Sequence, residues 1–174
     1  LMHPDCVSIM EYASKTGMRI GLISNGELID DDAARRLVSY CQWVRLSLDA
    51  ADHETYAAVH GSQTFTQAWA GVGKLSDARD ASGSSCTVGV GYLLGEETEG
   101  GMHIATVRAR NLGADYLQFR PFHRDTYEPQ EFMLDACRSE ELGRFHVVTS
   151  AHKYQVQGQT RRYTICHASH FVGV

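Results

Sequence analysis

Apolar positions along the chain recur in two alternating rhythms. Cys6, Ile9, Met10 and Ala13 return at helical spacing behind Pro4-Asp5, and Gly17 can close that helix. Residues 18–24 change to a compact apolar run carrying Ile20, Leu22 and Ile23, broken by Asn25-Gly26, and predict a strand. Asp30, Asp31 and Asp32 are acidic caps for a second helix whose apolar face is Ala34, Leu37, Val38 and Cys41. Residues 43–48 predict a second strand, 52–60 a short helical turn ending at Gly61, and Phe65, Ala68, Trp69 and Val72 begin a helix reaching about Arg79. After a small-residue turn, residues 86–94 predict a third strand. Gly100-Gly101 then precede a helix with Met102, Ala105, Ala109 and Leu112 on one side and Gly113 at its end. Residues 116–119 predict a fourth strand, ended by Arg120-Pro121.

A helix followed by β-α-β-α-β-α-β means successive βαβ units, and hence a parallel sheet or barrel. The rhythm breaks after Pro121. Residues 130–137 predict a short helix, 145–149 a strand and 154–160 a hairpin turn before a last strand at 163–166. The expected division is therefore 1–121 as an α/β core and 122–174 as an irregular α+β extension.

Composition narrows the function classes. A net charge of −5 with scattered Lys and Arg offers no stripe for nucleic acid, and no apolar run approaches a membrane span. Cys6, Cys41, Cys86, Cys137 and Cys166 are odd in number and widely spaced, which fits buried reduced thiols rather than disulfides or a CxxC clip. Trp43 and Trp69 are expected in the core, and His60 is expected as a helix-end histidine favoured by the dipole.

Polar residues gather at the carboxyl ends of the predicted strands: Ser24 and Asn25, Ser47 and Asp49, Glu96 and Glu97, Gln118 and Arg120. Parallel α/β folds bind ligands on that rim, where the βα loops open. A hydroxyl, an amide and a carboxylate can share a ribose diol and an ammonium group, and Arg120 can fork onto a carboxylate.

Several of these segments resemble one family. Gly-Leu-Ile-Ser-Asn-Gly at 21–26 resembles the strand ending in Thr-Asn-Gly of radical S-adenosylmethionine (SAM) enzymes. Trp-Val-Arg-Leu-Ser-Leu-Asp-Ala at 43–50 is similar to their Ile-Ser-Leu-Asp-Gly strand, with Ala50 where Gly is usual. Asp52-His53-Glu54-Thr55-Tyr56, then His60-Gly61 and Phe65, resembles the family's Asp-x-Glu-x-Tyr…Arg-Gly…Phe stretch. Residues 1–5 resemble the segment directly after its Gly-Gly-Glu-Pro. The resemblance covers about 1–121.

It implies a partial (β/α) barrel of radical SAM type, truncated at its N-terminal side. It also implies that Ser24, Asn25, Ser47 and Asp49 lie near the methionyl and ribose groups of SAM, with Gln118 and Arg120 near the adenine or the substrate. Cys-x3-Cys-x2-Cys is absent and expected upstream of Leu1, so the chain is expected to be an inactive interior fragment. In such enzymes a [4Fe-4S] cluster reductively cleaves SAM to a 5′-deoxyadenosyl radical that abstracts hydrogen from substrate. Implied partners are a small-molecule, peptide or sugar substrate and a reductant protein such as a flavodoxin or ferredoxin, in the cytoplasm, with no nucleic acid or membrane. Cys-His-Ala-Ser-His-Phe-Val at 166–172 looks like the entry to an auxiliary-cluster region of SPASM or twitch type. Cys166 as a cluster ligand, a zinc site with His167 and His170, and a metal-free hairpin all remain open there. Two other functions stay in view, a non-catalytic SAM-like binding module and an aldolase-type barrel. The latter wants a lysine at a strand end, where Lys15, Lys74 and Lys153 do not lie.

Overall fold

The computed structural model describes residues 1–121 and 129–149. Its elements in chain order are α1 (Cys6–Lys15), β1 (Ile20–Ser24), α2 (Asp31–Tyr40), β2 (Cys41–Ser47), α3 (His53–His60), α4 (Phe65–Ser82) and β3 (Thr87–Leu94). A 3-10 turn (Glu99–Gly101) then leads to α5 (Met102–Asn111), β4 (Tyr116–Pro121), α6 (Glu131–Arg138) and β5 (His146–Thr149). The five strands form one sheet in the order β1-β2-β3-β4-β5, every neighbouring pair parallel.

That order has a geometric consequence. Crossovers between parallel strands are right-handed, so strands laid down in one direction send every connecting helix to the same face. Among the described residues the opposite face carries no helix. Burial along β2 follows this division: Val44 and Leu46, with Leu48 just beyond, are fully buried, whereas Arg45 and Ser47 are half-buried and Trp43 is 38% exposed. On the helical side the core joins Leu37 and Val38 of α2, Val72 and Leu75 of α4, Val88, Val90 and Tyr92 of β3, Ala105 and Ala109 of α5, and Leu117 and Phe119 of β4. This is the α/β fold expected from the sequence, a parallel sheet of partial barrel type with one bare face.

Several local expectations change. Trp43 is not a core residue: it stands on the bare face, and its ring occupies the space a side chain at Gly21 would need. Only Trp69 is buried with the helices, at 4% exposure. Cys41 leaves α2 and begins β2 directly, because no residue separates helix from strand there. α4 runs three residues past Arg79 to Ser82 and stops at Gly83, whose left-handed φ of 63° caps it. Arg120 and Pro121 belong to β4 instead of ending it. Beyond residue 121 the expected short helix and strand are present as α6 and β5, and β5 adds another parallel strand beside β4. The expected hairpin at 154–160, the strand at 163–166 and Cys166 lie outside the described residues.

One buried charge fastens the amino ends of the strands. Arg79 is 3% exposed. It donates to Asp115 Oδ2 at 2.6 Å, to the Gly113 carbonyl at 3.0 Å and to Asp80 Oδ1 at 2.9 Å. Asp115 Oδ2 also accepts the Val88 N–H at 2.7 Å, and the Asp115 carbonyl accepts the His146 N–H at 2.9 Å. Helix α4 is thereby tied to β3, to the start of β4 and to β5. Because removing one partner strands the other charge, Arg79→Ala is expected to cost about 3–5 kcal/mol in urea unfolding. A loss below about 1 kcal/mol, the scale of an exposed ion pair, would contradict this role.

Candidate functional site

At the carboxyl end of β2 the chain turns through Asp49, the only non-glycine residue with positive φ among those described, at 52°. A left-handed aspartate is strained by about 1–2 kcal/mol, although its short polar side chain tolerates the conformation better than most. The turn that a glycine would make at position 50 is made one residue earlier, and Ala50 is fully buried. Several contacts hold the strain in place. Asp49 Oδ1 accepts the Leu93 N–H of β3 at 2.8 Å. Trp69 Nε1 donates to the Ala50 carbonyl at 3.2 Å, and Arg108 Nη1 donates to the Ala51 carbonyl at 2.8 Å. The Arg108 guanidinium also lies over Phe65 and Trp69, 4.9 and 5.2 Å from their ring centres.

The second oxygen of Asp49 meets His60. Helix α3 brings that histidine into place: Asp52 caps its start by accepting the Thr55 N–H at 2.8 Å, and Gly61 closes it at φ 64°. His60 Nε2 lies 3.4 Å from Asp49 Oδ2 and 3.1 Å from the Leu48 carbonyl. Both neighbours are acceptors, so Nε2 carries the hydrogen. The ring stacks on Tyr56 at 4.4 Å. Tyr56 Oη and Ser62 Oγ both reach Glu27 Oε1, at 3.5 and 3.4 Å, which ties the loop after β1 to the loop after β2. His60 is therefore more than a helix-end histidine.

The sequence-expected residues fall into three groups. Ser47 projects from β2 toward the bare face, whereas Asp49, 3% exposed beyond the strand end, is turned onto Leu93 and His60; the register places Ser47 beside Gly91 and then Gln118. Gln118 Oε1 accepts from Arg45 Nη1, and Arg120 lies on the same row of β4. Ser24 is turned inward: it pairs with Leu46 of the helix-facing row, and its Oγ accepts the Gly26 N–H at 3.2 Å. Asn25 is exposed and accepts the Glu27 N–H at 3.4 Å. Glu96 and Glu97 do not enter the site, because the loop after β3 is closed by Thr98 instead. Thr98 Oγ1 donates to the Leu93 carbonyl at 2.7 Å, and Tyr92 Oη donates to the Thr98 carbonyl at 2.7 Å. Sequence reasoning missed Arg45 and the role of His60. The period-2 row Trp43, Arg45, Ser47, Asp49 carried the signal for Arg45; nothing in the spacing announced His60.

The donor sets divide the cofactors. Ser47 Oγ makes no hydrogen bond among the described residues, and Gln118 keeps its amide nitrogen free, so the rim retains polar groups for a ligand such as SAM. The described cysteines do not fit a cluster. Cys41, Cys86 and Cys137 are buried free thiols, Cys6 is half-buried, and burial pushes Cys41 up to about 12 and Cys86 up to about 11. Among the described residues no three His, Cys, Asp or Glu side chains converge as metal ligands. Lys15 pairs with Glu11, and Lys74 donates to the Ile29 carbonyl, away from any strand end; Lys153 lies outside the described residues. No helix among the described residues is long and apolar enough to cross a membrane.

Residues 1–103 match the model of the Radical SAM superfamily. No curated protein matches the chain. Among solved structures, the fold superposes on SuiB of Streptococcus suis bound to S-adenosylmethionine with a TM-score of 0.68 at 11% identity, over 86% of this chain and 35% of that one. A second SuiB structure gives 0.67 at 11% identity, over 86% and 37%. A domain of the pyruvate-formate lyase-activating enzyme of Bacteroides vulgatus gives 0.64 at 9% identity, over 83% of this chain and 89% of that one. The chain thus spans little more than a third of SuiB, and identities this low show the fold alone.

The His60–Asp49 contact has a definite pH dependence. Its hydrogen bond to Asp49, opposed by burial, raises His60 above the ordinary histidine value of 6.5. A raised histidine stabilises the fold fully below its unfolded value and loses that contribution as pH rises through the native one. His60→Gln should therefore lower the melting temperature more at about pH 5.5 than at about pH 9. An equal deficit at both, by differential scanning calorimetry, would contradict the pairing.

Proposed function

Because the chain belongs to the radical SAM superfamily, we propose that its strand ends hold S-adenosylmethionine for reductive cleavage at a [4Fe-4S] cluster. The resulting 5′-deoxyadenosyl radical would abstract hydrogen from a substrate. The observation that carries this reading is the Asp49 turn, a strained carboxylate fixed at the end of β2 beside the unpartnered hydroxyl of Ser47. Strain of this kind persists where surrounding contacts impose it, and it concentrates at ligand sites. Asp49 has lone pairs left for a ribose hydroxyl after meeting Leu93 and His60, and Ser47 can donate or accept beside it. Ser24, the last residue of β1, and Asn25 after it are assigned to the methionyl side, and Gln118 and Arg120 to the adenine or substrate side.

The cluster is assigned elsewhere. Since the described cysteines do not fit one, its thiolates are placed in a Cys-x3-Cys-x2-Cys segment preceding Leu1, and residues 1–174 alone are expected to be inactive. We assign 1–121 to the core and 122–174 to an extension in which Cys166 is a candidate ligand for an auxiliary cluster. A flavodoxin or ferredoxin would deliver the electron in the cytoplasm, and the substrate would be a small molecule, peptide or sugar.

The test is anaerobic reconstitution of the complete protein with iron, sulfide and dithionite, then chromatography for 5′-deoxyadenosine. Product is expected from the complete protein and none from residues 1–174. An iron-loaded complete protein that makes no more than a protein-free control would overturn the enzymatic reading and leave a non-catalytic binding module. Asp49→Ala should weaken SAM binding by about 1–3 kcal/mol in calorimetry at unchanged iron content, the scale of a lost buried hydrogen-bond partner. Unchanged affinity would move the ligand away from this turn.

A further inference from the structure

Arg45 and Arg120 stand on the bare face, and among the described residues neither is paired with a carboxylate. Arg45 pairs with Gly89 across β2 and β3, and Arg120 pairs with Leu93 across β3 and β4. Both side chains fold over Gly91 between them. A Cβ on that glycine would lie 3.4 Å from Arg120 Nη2 and 3.6 Å from Arg45 Cδ and Nε. Gly91 thus leaves room for two guanidinium groups to approach each other.

Their donors are poorly used. Arg45 Nη1 donates to Gln118 Oε1, but the Nε groups of both arginines are buried with no partner among the described residues. Neither side chain forms a salt bridge among the described residues. Burial first, and then the charge of Arg45, depress the Arg120 guanidinium below its ordinary value. Asp49 offsets part of this charge, but its oxygens contact the Leu93 N–H and His60 and form no salt bridge with either arginine. The Tyr116 hydroxyl hydrogen-bonds the Arg45 side chain without neutralising it, since burial raises the phenol above its usual range. The same chain treats its other buried guanidinium quite differently, since Arg79 meets Asp80 and Asp115. Two cations held together with orphaned donors are costly unless an anion completes them.

We propose that Arg45 and Arg120 hold a carboxylate of the substrate, seated over Gly91 with the free amide N–H of Gln118 as a further donor. Arg45 Nε and the guanidinium fork of Arg120 are left without partners among the described residues, and together they suit the two oxygens of a carboxylate. The position argues for substrate over cofactor. Arg45 lies two residues down β2 from Ser47 and four from Asp49, below the strand ends assigned to SAM. The inference rests on that assignment, since it takes the bare face to be the side on which the substrate meets the cofactor.

Calorimetry on the complete, reconstituted protein at low salt tests it. The probes are glutarate, its neutral diamide and S-adenosylhomocysteine, applied to the natural protein and to Arg45→Gln and Arg120→Gln. Glutarate should bind the protein saturated with S-adenosylhomocysteine and should weaken by roughly 30-fold or more in either variant, the cost of removing one side of a buried charge pair. The diamide should not bind, S-adenosylhomocysteine affinity should be the same in Arg45→Gln as in the natural protein, and circular dichroism reports that both variants are folded. Arg120→Lys, which keeps the charge and loses the fork, should fall between. Glutarate that fails to bind, or binds the variants equally, overturns the carboxylate site. A loss of S-adenosylhomocysteine affinity in Arg45→Gln overturns it too, because Arg45 would then serve the cofactor's own carboxylate. If S-adenosylhomocysteine does not bind even the natural protein, the cofactor reading fails, and glutarate titration alone still decides the arginine pair.

Discussion

A parallel sheet whose strands succeed one another in chain order can bury only one of its faces under its own helices. Every right-handed crossover lands on the same side, and the organisation of this protein stems from that constraint. Val44, Leu46, Leu48, Val88, Val90 and Leu117 face the helices and supply the core. Arg45, Ser47, Gln118 and Arg120 alternate with residues of that row and face the other way. A doubly wound sheet would have had to cover them with apolar neighbours. Here the bare face is free to carry charge, glycine and hydroxyl groups. The two ends of the sheet then divide the work: buried Arg79 and Asp115 fasten the amino ends, while the carboxyl ends turn into loops with free hydrogen-bonding groups.

Asp49 is where fold and site meet. Its left-handed backbone carries strain that Leu93, Trp69, Arg108 and His60 jointly offset, each through a contact with residues 48–51. Those four partners come from β3, α4, α5 and α3. The carboxylate position is therefore set by most of the core at once, and it changes little unless several elements move together. Such overdetermination is what a ligand-binding carboxylate needs if binding is not to carry the cost of ordering it.

The alternation of elements was legible because strand and helix periods differ sharply in residues 6–119, and the polar strand ends of Ser47, Asp49, Gln118 and Arg120 stood out against apolar runs. The features that escaped depend on partners distant in sequence. Trp43 looks like a core aromatic until the sheet's bare face is known; its place there is made by Gly21 on the neighbouring strand. Arg79 reads as a helix-end charge until Asp115, thirty-six residues later, is brought beside it. His60 reads as a dipole-favoured histidine because only the return of α3 toward Leu48 puts it on Asp49. Arg45 sat in plain view on the row of Ser47 and Asp49. Its significance came from β4, which lays Arg120 across the same glycine. Thr98 closes its own loop through a hydroxyl bonded to Leu93 and Gly95, a role that neither spacing nor charge signals beside Glu96 and Glu97.

A cofactor seated on the carboxyl rim of the bare face would order the loops there and leave the opposite ends of the strands untouched. Hydrogen–deuterium exchange on the complete protein, with and without S-adenosylmethionine, reads both ends at once. Exchange should slow only in peptides spanning 24–27, 47–52 and 93–98, with those at 41–43, 86–88 and 113–116 unchanged. Slowing at the amino ends of the strands, or none at the rim under saturating SAM, would place the cofactor elsewhere.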